Sequence, residues 1–306
     1  MDVTEKCGRR AVLVAAGSLV AGAAGLGATA RRARAVEPPE RSPGGRFRVS
    51  CAAYSLRKYL DLKSPKMTLE DFIARCAEWG ADGVELTEYY FPKPIESSYL
   101  GKLKRLAFLN GLDITGTPIG NNFALPPGKE REEQVASVKS WIDVSADLGS
   151  PAIRIFAGSA PRGVGEPEAR RWVVEGIEAC CEHAAKRGVY LAVENHGGVV
   201  AAPEGLLEIV KAVRCEWVGI NLDTGNFRTE DPYADIERCA PLAVTCQVKT
   251  EVAPRGGQKV AADLPRIIEI LRKSKYRGYI TLEYEGAEEP LEAVPRHLSE
   301  LRKMIG

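Results

Sequence analysis

The chain has 306 residues, of which 27% are charged, yet 42 basic against 41 acidic side chains leave a formal charge of only +1. The charges are interspersed, which excludes a basic nucleic-acid surface, and past the N-terminal segment no run is long and apolar enough for a membrane span.

Residues 1–35 read as a twin-arginine export signal. Arg9-Arg10 precedes a 19-residue uncharged run, Ala11 to Thr29, that is rich in Ala and Gly and closes on Ala33-Arg34-Ala35, a small-x-small cleavage pattern. The run is too weakly hydrophobic for a good spanning helix. The expectation is export to the periplasm with no stable membrane association after cleavage; an uncleaved signal would leave a membrane anchor. "VEPPERSPGG" (36–45) reads as a Pro- and Gly-rich linker, and 46–306 as one large domain. Seven cysteines remain outside the signal, with no CxxC pair, so they are expected in the core as small apolar side chains rather than in a disulfide framework.

From residue 46 short apolar runs alternate with longer amphipathic stretches. Strands are expected at 47–54, 83–90, 113–119, 152–158, 189–195, 218–223, 244–250 and 279–285. Between them, patterns such as "TLEDFIARCAEWG" carry apolar residues at three- and four-residue spacing, and Gly80, Gly111, Gly149 and Gly188 stand where helices should stop. A closing helix, "EPLEAVPRHLSELRKMI", holds Pro295 as an expected kink. Eight strand–helix units in about 260 residues predict an α/β fold, a closed (β/α)8 TIM barrel. A doubly wound open sheet is the alternative, but no Gly-rich phosphate loop follows the first strand.

In such a barrel the C-terminal strand ends share one mouth. Strand 5 ends in Glu194 and His196, strand 6 in Asp223 with Asn226 just beyond, strand 7 carries Gln247 and Lys249, and strand 8 Glu283 and Glu285. Three carboxylates cannot share a small apolar cavity as bare anions, whereas a divalent cation would hold them together. The expected ligands are Glu194, Asp223, Gln247 through its amide oxygen, and Glu283. An all-oxygen set favours Mn²⁺ or Mg²⁺, with Co²⁺ or Zn²⁺ admissible. His196, Asn226, Lys249, Arg154 on strand 4 and Glu85 on strand 2 are expected near the substrate. Tyr54, Tyr89, Tyr90, Phe91, Phe156 and Phe227 are candidates for an apolar wall, each with simple packing as the competing role.

"GVYLAVENHGG", "WVGINLDTGNF", "DPYADIERCAPLAVTCQVKTEV" and "YRGYITLEYEG" together resemble the sugar phosphate isomerase/epimerase family of the xylose isomerase-like barrel superfamily. The resemblance runs from about residue 47 to the C-terminus. It implies a single divalent ion at Glu194, Asp223, Gln247 and Glu283, and proton transfer beside a carbonyl through an enediolate, with Glu194 and Glu283 as base and acid. Two departures stand out: Gln247 replaces the usual histidine ligand, and Asn226 replaces a histidine of ketose epimerases. The expected function is therefore a sugar isomerase or epimerase on a small carbohydrate. A lyase or dehydratase acting on a 3-keto sugar or a dehydroshikimate-like acid is the alternative, and a non-catalytic sugar-binding barrel the third reading. Abasic-site endonucleases of the same superfamily need many histidines and a basic surface, which this chain lacks. Substrate identity and oligomeric state are not encoded legibly.

Overall fold

The computed structural model of the protein describes residues 36–43 and 45–306; the expected export signal at 1–35 lies outside them. Eight strands form one sheet: β1 (Phe47–Ala52), β2 (Gly83–Glu85), β3 (Asp113–Gly116), β4 (Ala152–Phe156), β5 (Tyr190–Glu194), β6 (Val218–Asp223), β7 (Ala243–Val248) and β8 (Gly278–Leu282). Neighbours run β3, β2, β1, β8, β7, β6, β5, β4, and every pairing is parallel. The seam between β3 and β4 is bridged just past the strand ends. Thr117 N donates to Ala152 O at 3.1 Å, and Ile119 N to Arg154 O at 3.1 Å. The architecture is the expected TIM barrel.

A helix follows each strand: α1 (Leu69–Glu78), α2 (Ser97–Leu109), α3 (Lys129–Leu148), α4 (Glu166–Arg187), α5 (Pro203–Ala212), α6 (Pro232–Cys239), α7 (Leu264–Lys273) and α8 (Pro290–Ile305). Their starts are chemically marked. Thr68 and Asp71 form a capping box on α1, and Asp231 and Asp263 accept backbone N–H bonds at the starts of α6 and α7. Gly149 and Gly188 end α3 and α4 in the left-handed conformation. Each helix buries one stripe against the sheet; on α7 it is Leu264, Ile267, Ile268 and Leu271. Pro295 lies within α8. Cys51, Cys76, Cys180, Cys215, Cys239 and Cys246 are buried and unbridged, and Cys181 is half-buried.

Most strands end short of the expected bounds, and at two of them this shapes the mouth. The run expected as strand 83–90 pairs only over Gly83–Glu85, because Glu88–Tyr90 turns into a short 3-10 helix at the mouth. The run 279–285 ends as a strand at Leu282, so Glu283 and Glu285 sit on the loop just above β8. The linker is also more than a spacer. Arg41 Nη2 donates to Ala243 O at 2.6 Å, and its guanidinium lies 5.1 Å from the Tyr276 ring. Pro39 and Arg41 thereby border a cavity of about 310 Å³ at the N-terminal end of the barrel, opposite the mouth.

Candidate active site

Parallel pairing sets the heights of the polar side chains. Glu194 is level with Asn221, Asp223 with Gln247, and Gln247 with Thr281. The register therefore climbs around the barrel from β5 to β8. Two residues above Thr281, Glu283 has Lys249 as its neighbour on β7, and Gln247 lies a layer deeper.

That deeper layer is a chain of hydrogen bonds across the barrel axis. Thr245 Oγ1 donates to Asn221 Oδ1 at 2.7 Å, and Asn221 Nδ2 to Gln247 Oε1 at 2.6 Å. Gln247 Nε2 in turn donates to Glu85 Oε1 at 2.7 Å. Burial, then the charge of Glu283, pushes the Glu85 carboxyl up to about 8, so it carries its proton at neutral pH. Glu85, expected beside the substrate, instead lies beneath Gln247 and borders the cavity at the opposite end of the barrel.

The upper layer faces a mouth cavity of about 360 Å³ bordered by Glu194, Glu283, Lys249, Arg154, His196 and Asn226, with Tyr54, Tyr89 and Phe156 as its aromatic side. Glu194 is held at both oxygens: Arg154 Nε lies 2.8 Å from Oε2, and Asn226 Nδ2 donates to Oε1 at 2.8 Å. Arg154 also donates to Ile119 O at 2.9 Å and stacks 3.9 Å over Phe156. Burial works against its charge, but Glu194, with Tyr89, Glu283 and Glu85 behind it, outweighs that cost and its pKa is raised. His196 packs edge-on against Phe156, with ring centroids 4.6 Å apart, and half of its side chain stays in solvent.

Asp223 is fully buried. Its Oδ1 accepts from Gly225 N at 2.8 Å, while the buried Oδ2 makes no hydrogen bond and pairs by charge with the Lys249 ammonium at 3.3 Å. The same ammonium lies 3.0 Å from Glu283 Oε2 and 2.5 Å from Glu285 Oε2. Burial opposes the charge of Lys249, but three carboxylates overcome it and hold the amine firmly protonated. Glu285 is correspondingly lowered despite partial burial, Lys249 being the main opposing influence.

These positions test the expected metal. Among the described residues no group of three His, Cys, Asp or Glu stands in metal-holding geometry. Gln247 offers no amide oxygen to the mouth, because that oxygen accepts from Asn221 and the amide is anchored below by Glu85. In either orientation the amide stays bonded to Asn221 and Glu85, below the mouth. Both oxygens of Glu194 are engaged, and the point between Asp223 and Glu283 is filled by the Lys249 ammonium. The donor set, as arranged, does not fit a divalent ion, which corrects the ligand role expected of Gln247.

Several contributors were not singled out by sequence. Asn195 clasps β6, its Nδ2 donating to Asp223 O at 2.8 Å and its Oδ1 accepting from Asp223 N at 2.9 Å. Asn221 and Arg228 were also missed, the latter an exposed cation on the rim of the mouth. Period-2 alternation from Glu194 and Asp223 turns Asn195 toward the barrel wall and Asn221 into its axis. Of the candidate aromatics, Tyr90, Phe91 and Phe227 belong to the core.

A family model described as a xylose isomerase-like TIM barrel matches residues 73–304. Among solved structures, the chain is similar to a D-psicose 3-epimerase with D-tagatose from Clostridium cellulolyticum H10. Identity is 16%, coverage is 84% of this chain and 99% of that one, and the TM-score is 0.70. It is likewise similar to the apo form of a 3-keto-D-glucoside 4-epimerase from E. coli, at 17% identity over 85% and 99% of the two chains, with a TM-score of 0.63. A third is a xylose isomerase-like TIM barrel protein from Mycobacterium smegmatis in complex with magnesium, at 16% identity over 85% and 98%, with a TM-score of 0.64. No curated protein sequence matches the chain.

Proposed function

The chain belongs to the xylose isomerase-like TIM barrel family, and from that premise we propose that it is a sugar isomerase or epimerase working by proton transfer at a carbon beside a carbonyl. One observation carries the reading: carboxylates from opposite sides of the barrel, Glu194 and Glu283, border a single mouth cavity with Tyr54, Tyr89 and Phe156. Aromatic faces suit the C–H side of a sugar ring, and carboxylates suit its acidic protons and hydroxyls. Structures with similar folds include a D-psicose 3-epimerase and a 3-keto-D-glucoside 4-epimerase, which supports the same class of substrate.

In this reading Glu283 takes the proton, since it meets Lys249 through one oxygen, whereas Glu194 is clamped at both. Glu194 and Arg154 fix the substrate hydroxyls on the other side, and His196, at 3.9 Å from Glu194, relays protons to solvent. Reprotonation on the opposite face inverts the carbon; reprotonation at the adjacent carbon moves the carbonyl. The Mn²⁺ or Mg²⁺ expected from sequence has no step in this scheme, because the donors do not fit it. The proposed export of the chain favours unphosphorylated sugars.

The test is incubation in D₂O with free ketohexoses and with 3-keto glycosides, followed by NMR. Deuterium entering a carbon beside the carbonyl supports the proposal. Binding of these sugars with no exchange in any of them would make the protein a sugar-binding barrel, and loss of a hydroxyl would make it a dehydratase.

A further inference from the structure

We propose that the Lys249 ammonium is a built-in cation standing in the place a divalent ion would take, so that the protein works without a bound metal. The inference deepens the function proposed above and rests on it for the role of the charge. The placement itself rests on geometry alone. Lys249 has three carboxylates around its ammonium: it donates to Glu285 at 2.5 Å and lies 3.0 Å from Glu283 and 3.3 Å from Asp223.

Its surroundings are shaped for a lysine. Lys249 N donates to Thr224 Oγ1 at 3.0 Å, pinning the backbone. The stem passes over Gly225, where a Cβ would stand 2.8 Å from Lys249 Cβ and 3.0 Å from Cδ. A side chain at 225 would push the stem away, so the glycine keeps the ammonium on its three partners. Below, Gln247 is bonded at both ends of its amide and keeps its oxygen out of the mouth.

The charge then acts directly on the reaction. As the C–H bond breaks, its proton goes to Glu283, its electron pair forms the carbon–carbon double bond of the enediolate, and the carbonyl π pair moves onto the oxygen. The buried ammonium, already oriented beside Glu283, stabilises that oxygen. When the carbon regains a proton the pair returns, and Lys249 ends as it began, still protonated.

The test is metal analysis by mass spectrometry and thermal unfolding of the purified full-length chain, with EDTA, Mg²⁺ or Mn²⁺ added. For the natural sequence the expectation is no stoichiometric divalent ion and a Tm unmoved by EDTA or by either ion. Lys249→Met, which frees the point between Asp223 and Glu283, should gain a Mn²⁺-dependent rise of several degrees, and Lys249→Arg should not. A stoichiometric ion in the natural protein, whose removal lowers Tm, would overturn the proposal. That measurement needs no folded variant and no substrate. Failed deuterium exchange would instead sink the proposed reaction and leave the metal result standing.

Discussion

Gln247 Nε2 donates to Glu85 Oε1 at 2.7 Å, tying strand 7 to strand 2 across the barrel axis over 162 residues of sequence. This contact keeps Gln247 out of the mouth and, with burial, places a protonated carboxyl in the barrel interior.

Glu85 makes stability depend on pH in a stated direction. Its pKa is about 8 in the fold, against about 4.3 in an unfolded chain. Below the unfolded value both states hold the proton and the group contributes no penalty. Between the two values the unfolded chain releases a proton that the fold retains, so stability falls by about 1.4 kcal/mol per pH unit and levels off above the folded pKa. Glu85→Gln, which keeps an acceptor for Gln247, should match the natural protein near pH 4 and exceed it by a few kcal/mol near pH 8. Urea midpoints at the two pH values check this; an equal pH slope in both proteins would refute it.

Glu283→Gln removes the proposed base with almost no change of shape. The expected loss is about 10²–10⁴-fold in the rate of solvent exchange into a sugar substrate, with an unchanged circular dichroism spectrum. Retention of most of the activity would assign the proton transfer elsewhere.

Lys249→Met leaves Asp223, Glu283 and Glu285 facing one another without their shared cation. In the presence of EDTA the cost should be about 3–5 kcal/mol near pH 7, the range for a buried ion pair that loses one partner. The deficit should shrink as pH falls and the carboxylates take up protons. Denaturant titrations across pH decide it, and a cost that ignores pH would speak against the charge cluster as its origin.

Gly198→Ala tests the loop after β5, which carries His196. Gly198 has φ +53°, and an added Cβ would stand 2.1 Å from Gly158 O, whose carbonyl accepts from Val199 N at 3.1 Å. The strained backbone alone costs about 1–2 kcal/mol, and the clash adds to it. A drop in Tm of several degrees is expected, together with a weaker apparent affinity for sugars. An unchanged Tm would mean that the loop relaxes freely.

The sequence by itself determined the barrel. Eight apolar runs at regular intervals, each followed by a three-to-four-residue helical pattern, leave a closed parallel sheet as the economical way to bury every strand. It also set out the mouth residues, because chemistry in a parallel barrel is confined to C-terminal strand ends, and Glu194, Asp223, Lys249 and Glu283 fall there. What it could not express was height. Period-2 alternation shows which side chains share a face of a strand, but the stagger between strands arises only when the barrel closes. That stagger sets Gln247 level with Thr281, within reach of Asn221 and Glu85, and leaves Lys249 beside Glu283. Only the tertiary structure, by fixing the register, decided that the cation among these carboxylates is the chain's own lysine.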